Sequence, residues 1–133
     1  MSLVPLYILL LSTGLAATST SCARLSSHPR EECPLYTGLE PVRVNPAGAL
    51  NRHLRVEVAL RVCPAETGLA EIQRKRIELK HDLLVLLSSK TEAELNHPLR
   101  VENIQQEIQA MINQKLLKKS RVVQVLITGF ELE

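Results

Sequence analysis

Residues 68–95 read GLAEIQRKRIELKHDLLVLLSSKTEAEL, and their pattern decides how the rest of the chain must fold. Ile72, Leu79, Leu83 and Leu86 recur at the three-, four- and seven-residue spacings of one apolar helix face. The stretch from Leu69 to Leu95 is therefore predicted to be one long amphipathic helix followed by a short second one. Arg74, Lys75, Glu78, Lys80 and Asp82 take much of the remaining surface, so the helix lies on a neighbour rather than inside one. Leu83 to Leu87 is apolar all round and is expected to be its most deeply buried part. Ser88, Ser89 and Lys90 interrupt the run. Thr91 with Glu94 three residues on has the form of a capping box opening the short helix.

A helix this apolar needs a sheet, and both flanks supply strands. Arg52 to Val62 alternates strictly, with Leu54, Val56, Val58, Leu60 and Val62 on one side and His53, Arg55, Glu57 and Arg61 opposite. Cys33 to Asn45 has strand formers broken by Gly38 and Pro41, which fits an edge strand or two short ones. Asn45-Pro46-Ala47-Gly48 is a turn by composition, so the two strands are expected to form an antiparallel hairpin. Beyond the helices, Arg121 to Glu133 is the last strand. Val123, Val125 and Ile127 share one face, then the phase flips to Phe130 and Leu132. Gly129 stands at the flip, where a bulge would return both sets to the core side. Between, Asn96 and Pro98 suit the opening of a further helix, with Val101, Ile104, Ile108, Met111 and Lys115 at three-four spacing. The expected order is β-β-α-α-β: an α+β domain with two main helices covering one face of a small antiparallel sheet.

The cysteines test the hairpin. Cys33 and Cys63 are symmetric about residue 48 in the turn, so an unbulged hairpin sets them opposite each other, on the face away from the Leu54–Val62 stripe. A cross-strand disulfide fits an oxidising compartment. Two unrelated thiols fit as well, since Pro41 can shift the register and three cysteines leave one unpaired.

The third, Cys22, follows an apolar run of 15 residues, Leu3 to Ala17. Crossing a bilayer takes roughly 20 apolar residues, so the run is short for a permanent anchor and resembles a secretory signal. Three outcomes fit residues 1–21: a cleaved signal, lipidation of Cys22 after cleavage, or an uncleaved short anchor. Ser19-Thr20-Ser21 is a poor lipoprotein match, and no basic residue precedes the run. Each outcome puts the folded part, residues 33–133, outside the cytoplasm, with residues 22–32 as a polar linker.

Composition and spacing speak against several classes of chemistry. With 16 basic and 14 acidic residues the net charge is only +2, and the two signs are interleaved without a basic stripe. Phe130, Tyr7 and Tyr36 are the only aromatics. Nucleic-acid binding, which draws on clustered basic groups and stacking rings, has neither here. His28, His53, His81 and His97 are scattered and lack metal-ligand spacing. The five glycines stand far apart, so no phosphate loop exists, and Ser88-Ser89-Lys90 lacks the serine-lysine spacing of a hydrolase. No catalytic, cofactor or metal residue emerges, and no small-molecule substrate. The chain reads as a binding or assembly module.

These same segments resemble a known family. Asp82 to Leu95, DLLVLLSSKTEAEL, is similar to the central signature of FliL, the flagellar basal body-associated protein. Pro41-Val42-Arg43-Val44-Asn45 resembles its first strand, Arg52 to Leu60 its second, and Thr128-Gly129-Phe130 its Thr-x-Phe ending. The resemblance runs from about Pro34 to Glu133. It implies a periplasmic domain with a stomatin-like (SPFH-like) α+β fold, held at the inner membrane. It also implies association with stator and basal-body proteins in support of motility, and a homo-oligomeric ring. No catalytic residue or cofactor comes with the family. Against it, the chain shows a short apolar run where the family usually has a basic tail and a full membrane helix. In the turn before the last helix only Pro98 is kept. A divergent member is therefore expected. The alternative is a small exported envelope lipoprotein or binding module that uses this fold without a role in motility.

Overall fold

The computed structural model describes residues 32–48 and 51–133. Expectations for residues 1–31, including the fate of the signal and of Cys22, lie outside the described residues.

The alternating segment forms β3 (Leu54–Cys63), the central strand. Leu54, Val56, Val58, Leu60 and Val62 all point into the core, as the alternation requires. On one flank β3 pairs antiparallel with two short strands, β1 (Leu35–Tyr36) and β2 (Val42–Val44). The single first strand is thus resolved into two, and the register changes between them. Continuing the β1 pairing of Leu35 with Arg61 would set Val42 against Leu54; it faces Val56 instead. The cause is the Thr37–Pro41 break, where Pro41 cannot donate to a ladder. At the turn, Gly48 holds a left-handed φ of 74°, which glycine takes without strain.

On its other flank β3 pairs along its whole length with β4 (Arg121–Leu132). A register shift separates the Glu57–Gly129 and Val58–Ile127 pairs. This is the bulge expected beside Gly129, and it brings Ile127, Phe130 and Leu132 all against the core. A second shift, between Arg61 and Val62, was not foreseen. It inverts the strand start, so Val122 is buried and Val123, expected inside, is exposed.

Four helices and a π-helical turn cover one face. The predicted long helix is two: α1 (Ala65–Arg74) and α2 (Arg76–Ser88), jointed at Lys75. Neither proline nor glycine is at the joint. Lys75 leaves helical dihedrals (φ −100°, ψ 16°) while its ammonium donates to the carbonyl of Leu116, so a tertiary contact accompanies the break. Ile72, Leu79 and Leu83 are buried as expected, with Leu87 completing the stripe in place of Leu86. Two expectations for this stretch fail. Asp82 is not on the surface but 8% exposed, paired with Lys115 at 3.2 Å. Val85, expected inside, is 54% exposed.

Half of the capping box at Thr91 forms: its hydroxyl accepts from Glu94 N–H at 3.2 Å and opens α3 (Glu92–Leu95), while the Glu94 carboxylate accepts from that hydroxyl at 3.3 Å. The next helix does not start from Asn96, which closes α3 instead. It is α4 (Arg100–Met111), and the turn before it is held by His97 Nδ1 accepting from Leu99 N–H. A π-helical turn (Ile112–Leu116) follows, shifting the helical phase. Ile112, Leu116 and Leu117 are therefore buried, and Lys115, placed on the apolar face by simple spacing, is exposed. The order is β1-β2-β3-α1-α2-α3-α4-π turn-β4, an α+β domain with one small antiparallel sheet.

Candidate functional site

Three buried charged residues, Glu71, Asp82 and Lys90, are the natural place to look for chemistry. Each turns out to be bound up in the fold. Glu71, 2% exposed, projects from α1 into the loop entering β4. Its carboxylate accepts from the backbone N–H groups of Lys118, Lys119 and Ser120 at 3.2–3.3 Å. Ser120 Oγ donates to it at 2.6 Å. Burial pushes the Glu71 carboxyl up, but the Ser120 hydroxyl and the Lys118 and Lys119 amides outweigh it and leave it below its ordinary range. Three successive amides around one oxyanion form a backbone nest, here filled by the chain's own carboxylate.

Lys90 lies at the centre of a second knot. Its ammonium meets Glu94 at 3.2 Å and Glu107 of α4, and its carbonyl accepts from Ala47 N–H at 3.0 Å. Burial alone would push the Lys90 ammonium down; the bonds to Glu107 and Glu94 reverse this and raise it. The Ser88 and Ser89 hydroxyls donate back to the carbonyls of Val85 and Leu86, the behaviour of a helix end rather than of a nucleophile. The Ser-Ser-Lys-Thr stretch thus ties together α2, α3, α4 and the turn at Ala47. Among the described residues no group of three or more His, Cys, Asp or Glu could hold a metal; His28 lies outside them.

Two exposed regions, the sheet edge before the turn and the charged side of the first helices, are more informative. The edge at Pro34–Asn45 is broken into β1 and β2 by Pro41 and offers no continuous ladder. The charged face of α1 and α2 is partly used within the fold: Lys80 meets Glu40 at 3.0 Å and Arg74 lies 3.9 Å from Glu71. Cys33 and Cys63 do come together, with Cα atoms 4.7 Å apart and sulfurs in bonding contact. Their place follows from the β1 register, which is symmetric about residue 48.

One feature escaped sequence reasoning. β4 is an edge strand, and α4 with the π-helical turn lays a polar stripe along it. Asn113 Nδ2 donates to the Val122 carbonyl at 2.8 Å and its Oδ1 accepts from Val122 N–H at 2.7 Å. Gln109 donates to the same carbonyl at 3.3 Å, and Gln105 to that of Val125 at 3.1 Å. Side-chain amides at i, i+4 and i+8 so take the place of a neighbouring strand. The spacing of Gln105, Gln109 and Asn113 was the available signal.

No helix among the described residues is long and apolar enough to cross a membrane. The chain matches the family model described as flagellar basal body-associated protein FliL over residues 36–131. A comparison with curated proteins found no match. The matched span takes in every element from Tyr36 of β1 to Glu131 of β4, with the Ser-Ser-Lys-Thr knot at its middle and the Thr-Gly-Phe bulge near its end. The chain belongs to the FliL family of flagellar basal body-associated proteins.

Proposed function

We propose that this protein is a non-catalytic accessory of the flagellar motor. In this reading it works in the periplasm at the inner membrane and supports motility by protein contact with the stator. The observation that carries the reading is the family match, which spans nearly all of the described domain. The engagement of Glu71, Asp82 and Lys90 in internal bonds supports a contact role, because it commits the buried charges to the fold. We also read the Cys33–Cys63 pair as a disulfide formed outside the cytoplasm, which the approach of the two cysteines supports. A stomatin-like (SPFH-like) fold and a homo-oligomeric ring accompany the reading. A fluorescent fusion tests it. Foci at flagellar bases that vanish when the stator genes are deleted are the expected result, and a diffuse envelope signal in motile cells would contradict it.

A further inference from the structure

One corner of the fold gathers positive charge. Between Glu107 and Glu131 the sequence has no acidic residue, and its cations there, Lys115, Lys118, Lys119 and Arg121, are all exposed. Lys118 and Lys119 stand on the loop entering β4, which the Glu71 carboxylate pins from inside through their backbone N–H groups. Among the described residues neither ammonium makes an ion pair. α1 adds Arg74, beside Glu71, and Lys75, which donates to the Leu116 carbonyl. The acids of this corner leave the two lysines unpaired. Glu71 and Asp82 are buried and engaged, the latter with Lys115. Glu32, Glu66 and Glu78 are exposed, and none of them bonds to Lys118 or Lys119. Toward the other end of β3, by contrast, Arg52 pairs with Glu92 at 3.1 Å and Arg55 with Glu131 at 3.6 Å.

The chain enters the fold at this same corner. Cys33 and Cys63 have Cα atoms 4.7 Å apart, Val62 N–H donates to the Pro34 carbonyl at 3.1 Å, and Cys63 lies opposite Arg121. The residues before Cys33, outside the described ones, include the apolar run from Leu3 to Ala17. From Cys22 to Cys33 the chain spans at most roughly 40 Å even when fully extended. The length of β3 sets the opposite end of the sheet about 30 Å from this corner. A membrane that holds the chain at the apolar run, or at a lipidated Cys22, is therefore tethered to the corner carrying Lys118 and Lys119.

From the two unpaired lysines and the place of chain entry we infer that the Lys118–Lys119 turn contacts anionic phospholipid headgroups, setting this end of the sheet against the bilayer. Each lysine held within a Debye length, ~8 Å, of an anionic surface strengthens such a contact about fivefold. An acidic protein segment would match the charge equally. The apolar run leading into Cys33 is what favours lipid, because it brings a membrane to this corner.

The inference rests on the reading above that the protein is held at the inner membrane. The test reconstitutes the full chain on vesicles of phosphatidylcholine, with or without phosphatidylglycerol, and maps lysine acetylation by mass spectrometry. Lys118 and Lys119 should be acetylated about fivefold more slowly on the anionic vesicles, and Lys80, exposed on α2, equally on both. Salt at about 1 M, where the Debye length is ~3 Å, should erase the difference. The nest around Glu71 uses backbone N–H groups, so Lys118→Glu combined with Lys119→Glu should leave circular dichroism unchanged. That double variant should lose at least tenfold of the extra binding to anionic over neutral vesicles. Arg43→Glu, at an exposed cation toward the other end of the sheet, should not. Equal acetylation of Lys118 and Lys119 on both vesicles would overturn the inference, as would protection shared alike by Lys80. Protection by soluble polyglutamate with none from anionic lipid would overturn it in favour of an acidic protein segment. If the gene's deletion leaves swimming intact while the footprint holds, the motor reading falls and the lipid contact stands. Lost swimming with a footprint blind to lipid charge removes the contact alone.

Discussion

Glu71→Gln keeps the size of the side chain but removes the charge that three backbone amides and the Ser120 hydroxyl address. Hydrogen bonds to a charged group contribute about 1.5–3 kcal/mol each, so the variant should lose roughly 2 kcal/mol or more of unfolding free energy at neutral pH. The pH dependence has a definite sign. The Glu71 carboxyl is held below its ordinary value of 4.5, so its stabilisation is complete above the unfolded group's titration. It is lost as pH falls through 4.5 and below. Denaturant unfolding from pH 7 to pH 3 should show the wild-type advantage over Glu71→Gln shrinking on the acid side. Gly68 answers to a different constraint. It brings α1 so close to β3 that a Cβ would collide with Val62 Cγ1 in the core. Gly68→Ala should therefore cost about 1–3 kcal/mol despite alanine's better helix propensity, seen as a lowered thermal midpoint.

At the scale of elements, the pairing of α4 with β4 carries the clearest consequence. The Val122 backbone is buried, and Asn113 satisfies both its N–H and its C=O. Asn113→Leu leaves the Val122 N–H unpaired inside the protein, at about 1–3 kcal/mol, while its C=O keeps the bond from Gln109. Replacing Gln105 and Gln109 as well should open the edge and produce association that grows with concentration in light scattering. Beyond Val125 no side-chain bond reaches the β4 backbone among the described residues; there Glu131 and the bulge beside Gly129 blunt the edge instead. How far the sequence showed these elements depended on whether local pattern or distant contact set them. β3 was legible because strict alternation has one solution, and the bulge at Gly129 because the phase flip demanded it. The capping box at Thr91 was legible for a similar reason. The joint at Lys75 was not, since it involves Leu116, some forty residues away. The burial of Asp82 and the nest around Glu71 were hidden for the same reason. None of these leaves a local signature, because each joins parts of the chain that meet only after folding.

For the whole molecule, the proposed Cys33–Cys63 disulfide would close a loop with a sequence separation of 30 and tie the start of the described chain to the end of β3. If the disulfide forms as proposed, its loss should cost about 3–4 kcal/mol by loop-closure entropy. Cys33→Ser should then unfold at lower temperature, with a midpoint insensitive to reductant, whereas the wild-type midpoint should fall when reductant is added. The buried polar residues hold the fold together, and we propose that the surface left over serves contact with a partner. The central claim is that this contact serves the flagellar motor. Deleting the gene and measuring swimming speed in dilute and viscous media, with complementation by the wild-type gene, tests it most directly. Weakened swimming, worse under viscous load and with filaments still assembled, is the result the account expects. Unchanged swimming in both media would contradict it.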